Sequence, residues 1–276
     1  LYISKTTNLR VRAFREGYLP SKTTTASYLV LTRIPRLPIA SITVKHEDFF
    51  GYTTGIYVEG PNAEPEEPHF SANYWQDWER TIHFEYFPFQ EGCVVSQDVG
   101  VKIGGNWSRA QPQKTLKLYA RNEYGSNEMQ YQFFKDKPIY GFHIISLRNS
   151  GNDCNNTQMR DGVISVLAKN MNIDRQAYQP AIVYINGQYY GIQNVREKMN
   201  ESYVAENYGY EKEDIDFIKN NGEVTNGTSN DYYEMRNYME TTDLSIPENY
   251  QKAFEYLDIN NFIDYNVLEM YVVNED

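Results

Sequence analysis

The hydrophobic pattern of this chain changes period near its middle, and that change constrains the fold more than any other feature. In the first half, apolar and polar residues alternate in short runs, most clearly over residues 80–87, and such alternation is typical of half-buried strands. Over residues 159–171 the apolar positions instead fall three and four residues apart, as in an amphipathic helix. Because the strands come first and the helices follow, the sequence predicts an α+β fold with a β-rich first half and a helix-rich second half.

The strongest local signal is a tight hairpin in the second half. Asn186-Gly187 separates two β-rich runs, 180–185 and 188–192, and Asn-Gly between such runs predicts a type I′ turn because both residues tolerate positive φ. Further strands are expected at 39–44, 99–103, 115–120 and 214–218, and helices at 197–208, 231–240, 246–257 and 262–273, the last capped by Asp258 or Asn260.

Residues 1–32 form a separate pattern. They contain two β-like runs, 9–14 and 27–31, around a Gly-Pro turn, and two strands alone are only marginally stable in water. We therefore expect them to be the last strands of a β-sandwich. A proline-containing linker at 33–38 would join them to a second domain at 39–276.

Composition excludes several classes of function. With 26 Lys and Arg against 37 Asp and Glu, the formal net charge is −11, which repels nucleic-acid backbones and anionic lipid. No apolar run approaches the ~20 residues that span a membrane. We therefore expect no nucleic-acid partner and no transmembrane segment in this stretch. Cys93 and Cys154 are too few for a disulfide framework, which leaves one bridge or two free thiols, and neither has zinc-site spacing to a histidine.

The first candidate for chemistry is a strand that runs into paired glycines. Gly104-Gly105 is followed by a polar turn with Ser108 and Arg109, and Lys114 stands at the start of the next strand. Glycines let a backbone approach a ligand closely, and turn amides beside cations suit a nucleotide phosphate. The lysine enters a strand, which differs from a P-loop and is nearer the order of protein kinases. The alternative is a plain hairpin with nearby cations, which the bare pattern favours.

Three further polar clusters have both a structural and a functional interpretation. Residues 147–153 lead to Asp161 in the first turn of a helix, where the helix dipole also favours an acid. Glu197 follows the second hairpin strand and is either an ion-pair partner of Lys114 or a solvated residue at a helix start. The terminal run 274–276 is acidic, which by itself is typical of a frayed tail.

Taken in order, these segments resemble the spore-coat-protein-H kinase family (CotH kinases) over roughly residues 38–276. The motifs that carry the resemblance include Gly104-Gly105-Asn106-Trp107-Ser108-Arg109, Pro112-Gln113-Lys114-Thr115-Leu116, Leu147-Arg148-Asn149-Ser150-Gly151-Asn152-Asp153, Arg160-Asp161, Asn186-Gly187-Gln188-Tyr189-Tyr190-Gly191, Arg196-Glu197 and Asn274-x-Asp276. Separately, residues 11–21 resemble the last strands of the small β-sandwich at the C-terminus of chitobiase-like proteins.

The resemblance implies a two-lobed atypical protein kinase that transfers the γ-phosphate of ATP to protein Ser or Thr, with Mg²⁺ or Mn²⁺ as cofactor. Lys114 would hold the ATP phosphates, and Gly104, Gly105, Ser108 and Arg109 would form the loop over them. The resemblance also implies a secreted or surface-bound bacterial protein that acts on secreted or surface proteins. A signal peptide or a lipoprotein anchor is expected upstream of this stretch.

The resemblance further implies which acids take part. Asp276 matches the family's catalytic Asp, which would orient the acceptor hydroxyl and accept its proton. The acidic partner of Lys114 would be Asp161 by kinase order, or Glu197 by its place after the hairpin. The family's metal-binding Asp would lie beyond Asp276, so no metal ligand is assigned within the chain. Because Mg²⁺ neutralises the phosphates, we expect residues 1–276 alone to be inactive or nearly so.

Two other classes of function stay open on the sequence alone. One is a non-catalytic surface module on a kinase-like scaffold that binds glycan or protein, since 25 tyrosines offer stacking surfaces. The other is a glycan-processing enzyme, which only the chitobiase-like leader indicates. Loss of ATP binding in Lys114→Ala would distinguish the kinase from both.

Overall fold

The computed structural model describes residues 1–274 and contains both strands and helices, which confirms the α+β class. The chain divides into two compact units. The first comprises Leu1–Arg160 and Ala177–Glu197, and the second comprises Asp161–Gln176 and the residues from Lys198 onward. The β-rich unit is therefore not a simple first half, because a hairpin from the second half of the chain returns to it.

The first unit is built around a closed seven-stranded barrel. The strands of this unit are β1 (Thr7–Val11), β2 (Thr24–Tyr28), β3 (Ile39–Thr43), β4 (Arg80–Phe87), β5 (Val95–Gly104), β6 (Thr115–Tyr119), β7 (Met129–Gln130), β8 (Gly141–Phe142), β9 (Ile144–Arg148), β10 (Tyr178–Ile185) and β11 (Gln188–Glu197), with helix α1 at His46–Phe50. The pairs β1-β2 and β7-β8 form two-stranded sheets of their own. The barrel order is β10-β11-β9-β6-β5-β4-β3, and β3 closes it by pairing in parallel with β10. Closure protects these strands from pairing with other chains.

Alternate residues of the barrel strands point inward, as their period-two pattern requires. Along β5, Val99 and Val101 are fully buried and Ile103 is nearly so. Leu116 and Leu118 of β6 face the same core. The strand predicted at 80–87 has the same bounds as β4, because the alternation of apolar and polar residues runs through the whole segment.

The predicted hairpin is confirmed, and its second strand is longer than expected. Asn186 (φ 51°) and Gly187 (φ 77°) form a two-residue turn with the positive φ values of type I′. The helix predicted from residue 197 is wrong at its start, because β11 continues to Glu197 and helix α3 begins at Glu201. Residues 194–197 pair with β9, so a tertiary ladder overrides the local helical pattern.

The β1–β2 hairpin belongs to the same compact unit as the barrel. Its strands pair antiparallel over five residues each. The backbone N–H and the hydroxyl of Ser27 donate to the buried Glu85 carboxylate on the outside of β4, and Ser27 Oγ lies 2.7 Å from Ser41 Oγ. These polar contacts attach the hairpin to the barrel. Its assignment to a chitobiase-like sandwich at 1–32 stays a prediction.

The second unit is mostly helical. Its elements are α2 (Arg160–Leu167, entering from the first unit), α3 (Glu201–Tyr208), β12 (Phe217–Lys219), β13 (Glu223–Asn226), α4 (Asn230–Thr241), α5 (Pro247–Ala253) and α6 (Ile259–Tyr271). Asp258, not Asn260, caps α6, because its carboxylate accepts the Asn261 N–H at 2.9 Å. The segment after α2 is tied to α6 by the Asn172 N–H, which donates to the Asp264 carboxylate at 2.7 Å.

Two open points of the sequence are answered within residues 1–274. Cys93 and Cys154 are both free thiols, so no bridge joins them. In this part of the chain, every helix is too short or too polar to cross a membrane.

Candidate functional site

The paired glycines lie where β5 ends and a tight loop begins. We call residues 104–114 the Gly loop. Gly105 has φ +98°, and a Cβ there would overlap the Ser108 hydroxyl, so both the backbone conformation and the close approach require glycine. The loop then forms a single 3₁₀ turn at Trp107–Arg109. The sequence therefore places a glycine at the position of the loop that has a positive φ.

The Arg109 side chain stabilises the Gly loop by hydrogen bonds to backbone carbonyls. Its Nε donates to the Gly105 carbonyl at 2.7 Å, and Nη1 donates to the carbonyls of Tyr74 and Trp75, each at 3.3 Å. The guanidinium carbon also lies 5.8 Å from the centroid of the Trp75 ring. Burial lowers the pKa of Arg109 from its ordinary value. In this conformation the guanidinium holds the loop against a neighbouring turn.

Lys114 directly precedes β6, as predicted, and its side chain is 4% exposed. Its Nζ donates to the carbonyls of Arg109 (2.6 Å) and Gln111 (3.0 Å). The same ammonium lies 3.8 Å from the Tyr74 ring centroid and 5.5 Å from that of Tyr57. Burial lowers the pKa of Lys114 to about 8, and the field of Glu59 opposes that shift. The loop therefore encloses a cation that is costly to keep charged.

The main chain of Lys114 is also held on both sides. Its N–H donates to the Tyr57 hydroxyl at 2.7 Å, and its carbonyl accepts from Gln193 Nε2 at 2.7 Å. The Tyr57 hydroxyl in turn donates to the Pro112 carbonyl at 3.2 Å. The start of β6 is therefore fixed between the loop after α1 and strand β11.

Asn149 joins the 147–153 cluster to the Gly loop. This side chain is 1% exposed. Its Oδ1 accepts from the Thr115 hydroxyl at 2.9 Å and the Gly151 N–H at 3.1 Å. Its Nδ2 donates to the carbonyls of Gln113 (2.7 Å) and Ser108 (3.2 Å). Two clusters that are about 40 residues apart in the sequence thus meet through one buried amide.

Asp153, at the end of the same cluster, binds the backbone N–H groups at the N-terminal end of helix α2. Its Oδ2 accepts from the Thr157 hydroxyl (2.6 Å) and from the N–H groups of Met159 (2.9 Å) and Arg160 (3.0 Å). The Thr157 hydrogen bond, followed by that from the Arg160 amide, lowers the pKa of Asp153 to about 2. The carboxylate satisfies amides that the first helical turn leaves open.

The acids proposed as partners of Lys114 occupy different places. Glu197 is the last residue of β11, and its Oε2 accepts from Lys137 Nζ and from the Ala177 N–H, each at 2.7 Å. No carboxylate within residues 1–274 forms an ion pair with Lys114. Asp161 is the second residue of α2 and belongs to the other unit. The acidic partner of Lys114, Glu197 or Asp161, stays a prediction, and Asp276 lies outside the described residues.

Several contacts of the site are not foreseen from sequence patterns. Tyr57, Tyr74 and Gln193 all touch Lys114 and come from three distant segments. The only available signal was the high tyrosine content, which does not indicate which tyrosine meets the lysine. Asn149 lies in a run that the sequence did single out, although its partners depend on the barrel.

A second hydrogen-bonded chain lies on the outer face of β4 and β5. His83 Nδ1 is 2.7 Å from Asp98 Oδ1, and His83 Nε2 is 3.1 Å from Ser96 Oγ. This is the order of a serine-hydrolase triad. Backbone amides in a regular antiparallel ladder point at the neighbouring strand, so they do not converge above a hydroxyl as an oxyanion hole requires. We therefore interpret the hydrogen bonds among His83, Asp98 and Ser96 as cross-strand pairing and not as a hydrolytic site.

Comparison with protein-family models adds an independent observation. The model described as CotH kinase protein matches residues 101–276, well over half of the chain. The chain belongs to the CotH kinase protein family. The CotH kinase match begins inside β5 and includes the Gly loop and Lys114. It excludes Tyr57 and Tyr74, which lie before it. Among curated proteins, none matches the chain.

A kinase family implies two cofactors, ATP and a divalent metal. The Gly loop offers close backbone approach and two cations, Lys114 and Arg109, which suits a phosphate group. Within residues 1–274, no three His, Cys, Asp or Glu side chains are gathered as a metal site would require. The described residues therefore do not assign a ligand set for the metal.

Proposed function

We propose that this chain is the nucleotide-binding part of an atypical protein kinase that transfers the γ-phosphate of ATP to Ser or Thr of a protein. The observation that carries the proposal is the position of Lys114, a buried cation enclosed by the Gly loop at the start of a barrel strand. The CotH kinase family match includes this loop. On this proposal the barrel unit and the helical unit correspond to the two lobes of a kinase.

The chemistry of phosphoryl transfer explains why such a loop is needed. The transferred group develops little new covalent bonding to the protein, so catalysis depends on positioning and on neutralising charge. Gly104 and Gly105 would let the backbone lie close to the phosphates, and Lys114 would supply the cation. To reach a phosphate oxygen, Lys114 Nζ exchanges one of its carbonyl acceptors, Arg109 or Gln111, for that oxygen. Ser108 and Arg109 keep the loop in its turn.

The remaining parts of the proposal rest on family membership. Asp276 would orient the acceptor hydroxyl and take its proton. A bound Mg²⁺ or Mn²⁺ would neutralise phosphate charge. The acceptor is proposed to be a secreted or surface protein of a bacterium. Low activity of residues 1–276 alone stays a prediction, so the test below measures binding.

Titration of the protein with a fluorescent ATP analogue tests the proposal. Because a hydrogen bond to a charged group contributes about 1.5–3 kcal/mol, Lys114→Met should raise Kd by roughly 10- to 100-fold. Lys22→Ala is the matched control, since Lys22 is an exposed cation far from the loop in sequence, and it should leave Kd unchanged. Circular dichroism and thermal melting establish that each variant is folded. Equal Kd values for the wild type and Lys114→Met would refute the role of the lysine.

One observation favours the second candidate function, a non-catalytic surface-binding module. The Lys114 ammonium already has two carbonyl acceptors and two ring faces, so the loop is stable as it stands without a phosphate. If folded wild-type protein fails to bind the ATP analogue but binds glycans on an array, this second function replaces the first.

A further inference from the structure

A buried ammonium needs compensation for the water it has lost. In most proteins a carboxylate provides this compensation. The sequence accordingly predicted an acidic partner, either Asp161 or Glu197. Lys114 is 4% exposed, and among residues 1–274 no carboxylate forms an ion pair with it. Two carbonyl oxygens meet part of the need. Glu59 favours the charged amine through its field but forms no ion pair with it. The remaining direct contacts come from groups that are not acids.

Two tyrosines provide those contacts. The Tyr74 ring centroid is 3.8 Å from Lys114 Nζ, which is a close cation–π distance, and the Tyr57 centroid is 5.5 Å away. Tyr74 is buried in the barrel unit, and Tyr57 is also buried, stacked on Phe49 with centroids 6.0 Å apart. Both rings are therefore held firmly, and their faces present the negative part of the ring quadrupole to the amine.

The same two residues also hold the main chain of the Gly loop. The Tyr57 hydroxyl accepts from the Lys114 N–H (2.7 Å) and donates to the Pro112 carbonyl (3.2 Å). The Tyr74 carbonyl accepts from the Arg109 guanidinium at 3.3 Å. Tyr57 and Tyr74 thus contact the Gly loop through both their rings and their hydrogen bonds.

We propose that Tyr57 and Tyr74 are positioning residues for Lys114, keeping its amine charged and in place within the Gly loop through their ring faces, where an ion-paired carboxylate would otherwise stand. The proposal rests on the proposed function only where it makes Lys114 the ligand of ATP. An aromatic face has no strongly directional acceptor, so the amine can exchange a carbonyl for a phosphate oxygen without leaving the rings.

A shape-conserving series at Tyr74 tests the proposal. We would compare Tyr74→Phe with variants in which Tyr74 is replaced by 4-fluoro- and by 3,4,5-trifluorophenylalanine, because fluorine weakens the ring quadrupole with little change of shape. The pKa of the Lys114 amine is measured in each from the pH dependence of its acetylation rate, read by mass spectrometry. Loss of the ring's attraction disfavours the charged amine, so each added fluorine should lower that pKa. A total fall of about half a unit, a threefold change, is expected.

The controls and outcomes separate this inference from the proposed function. The same fluorinated residues at the exposed Tyr52 should leave the Lys114 pKa unchanged. An unchanged Lys114 pKa across the Tyr74 series would overturn the inference, whether or not ATP binds. If the pKa falls while the ATP analogue does not bind the wild type, the positioning role is supported and the nucleotide function fails. Tyr57→Phe, which keeps the ring and removes the hydroxyl, should keep the Lys114 pKa but speed hydrogen exchange at the Lys114 amide.

Discussion

Replacing Asn149 should weaken the barrel unit more than replacing any comparable exposed residue on the same turn. The Asn149 side chain is buried and makes hydrogen bonds with Thr115, Gly151, Gln113 and Ser108. In Asn149→Ala, the half-buried carbonyls of Gln113 and Ser108 and the buried Gly151 N–H lose their partner. A methyl group cannot replace either end of the amide.

The expected magnitude follows from these four bonds. Each contributes about 1 kcal/mol net, and a buried group left without a partner costs about 1–3 kcal/mol. The Thr115 hydroxyl can rotate, and water can reach part of the space, so we expect a loss of ~2–4 kcal/mol in the free energy of unfolding. Such a loss is large beside a typical total of about 5–15 kcal/mol. Asn149→Asp should be destabilising at neutral pH and less so in acid, because an ionised oxygen would face the Gln113 and Ser108 carbonyls.

Urea unfolding followed by tryptophan fluorescence measures this loss of stability in the barrel unit. The three tryptophans, Trp75, Trp78 and Trp107, all lie in the barrel unit. Asn152→Ala is the matched control, because Asn152 is an exposed asparagine on the same turn. The midpoint should fall for Asn149→Ala with an unchanged slope, and stay constant for Asn152→Ala. A loss below about 1 kcal/mol, or equal losses in both variants, would show that the buried amide does not hold the loop.

Three further predictions concern the same loop and its neighbours. Burial lowers the pKa of Lys114 from 10.5 to about 8, so between these values the unfolded chain holds a proton that the folded chain has released. Stability should rise with pH across that range by up to ~3 kcal/mol, and the rise should be missing from urea titrations of Lys114→Met. The pKa of Asp153 is lowered from 3.8 to about 2, so its contribution is present above the higher value and lost as pH falls through the lower one. Asp153→Asn should remove that acid sensitivity from thermal melts followed by circular dichroism, and an unchanged acid limb would contradict the capping role. Gly105→Ala should cost ~1–3 kcal/mol because of its positive φ, whereas Gly92→Ala, in open space, should cost less than half of that in the same urea assay.

Local chemistry predicted those elements whose geometry a few neighbouring residues determine. Asn186-Gly187 specified a type I′ turn because both residues accept positive φ. Residues 80–87 specified a strand because their alternation is strict. The helix expected from residue 197 started too early, because pairing of 194–197 with β9 depends on a strand about 50 residues away. Local secondary-structure propensity carries no information about such a distant partner strand.

The candidate site divides in the same way. The Gly loop and Lys114 were identified from the order of residue types, since a glycine pair, a polar turn and a strand-entering lysine are local features. The contacts of Lys114 with Tyr57, Tyr74 and Gln193 were not, because these residues lie 57, 40 and 79 positions from the lysine in sequence. Which acid would pair with the lysine was equally undetermined.

The sequence by itself determined the α+β class, the hairpin turn, the glycine-and-lysine loop and membership of the CotH kinase family. Each depends on residue types in order along the chain. Only the tertiary structure decided that β3 closes the barrel on β10 and that Glu197 pairs with Lys137. It also decided that two carbonyls and the rings of Tyr57 and Tyr74 contact the Lys114 amine. The physical reason is that a buried charge is compensated by whatever the fold brings within a few ångströms.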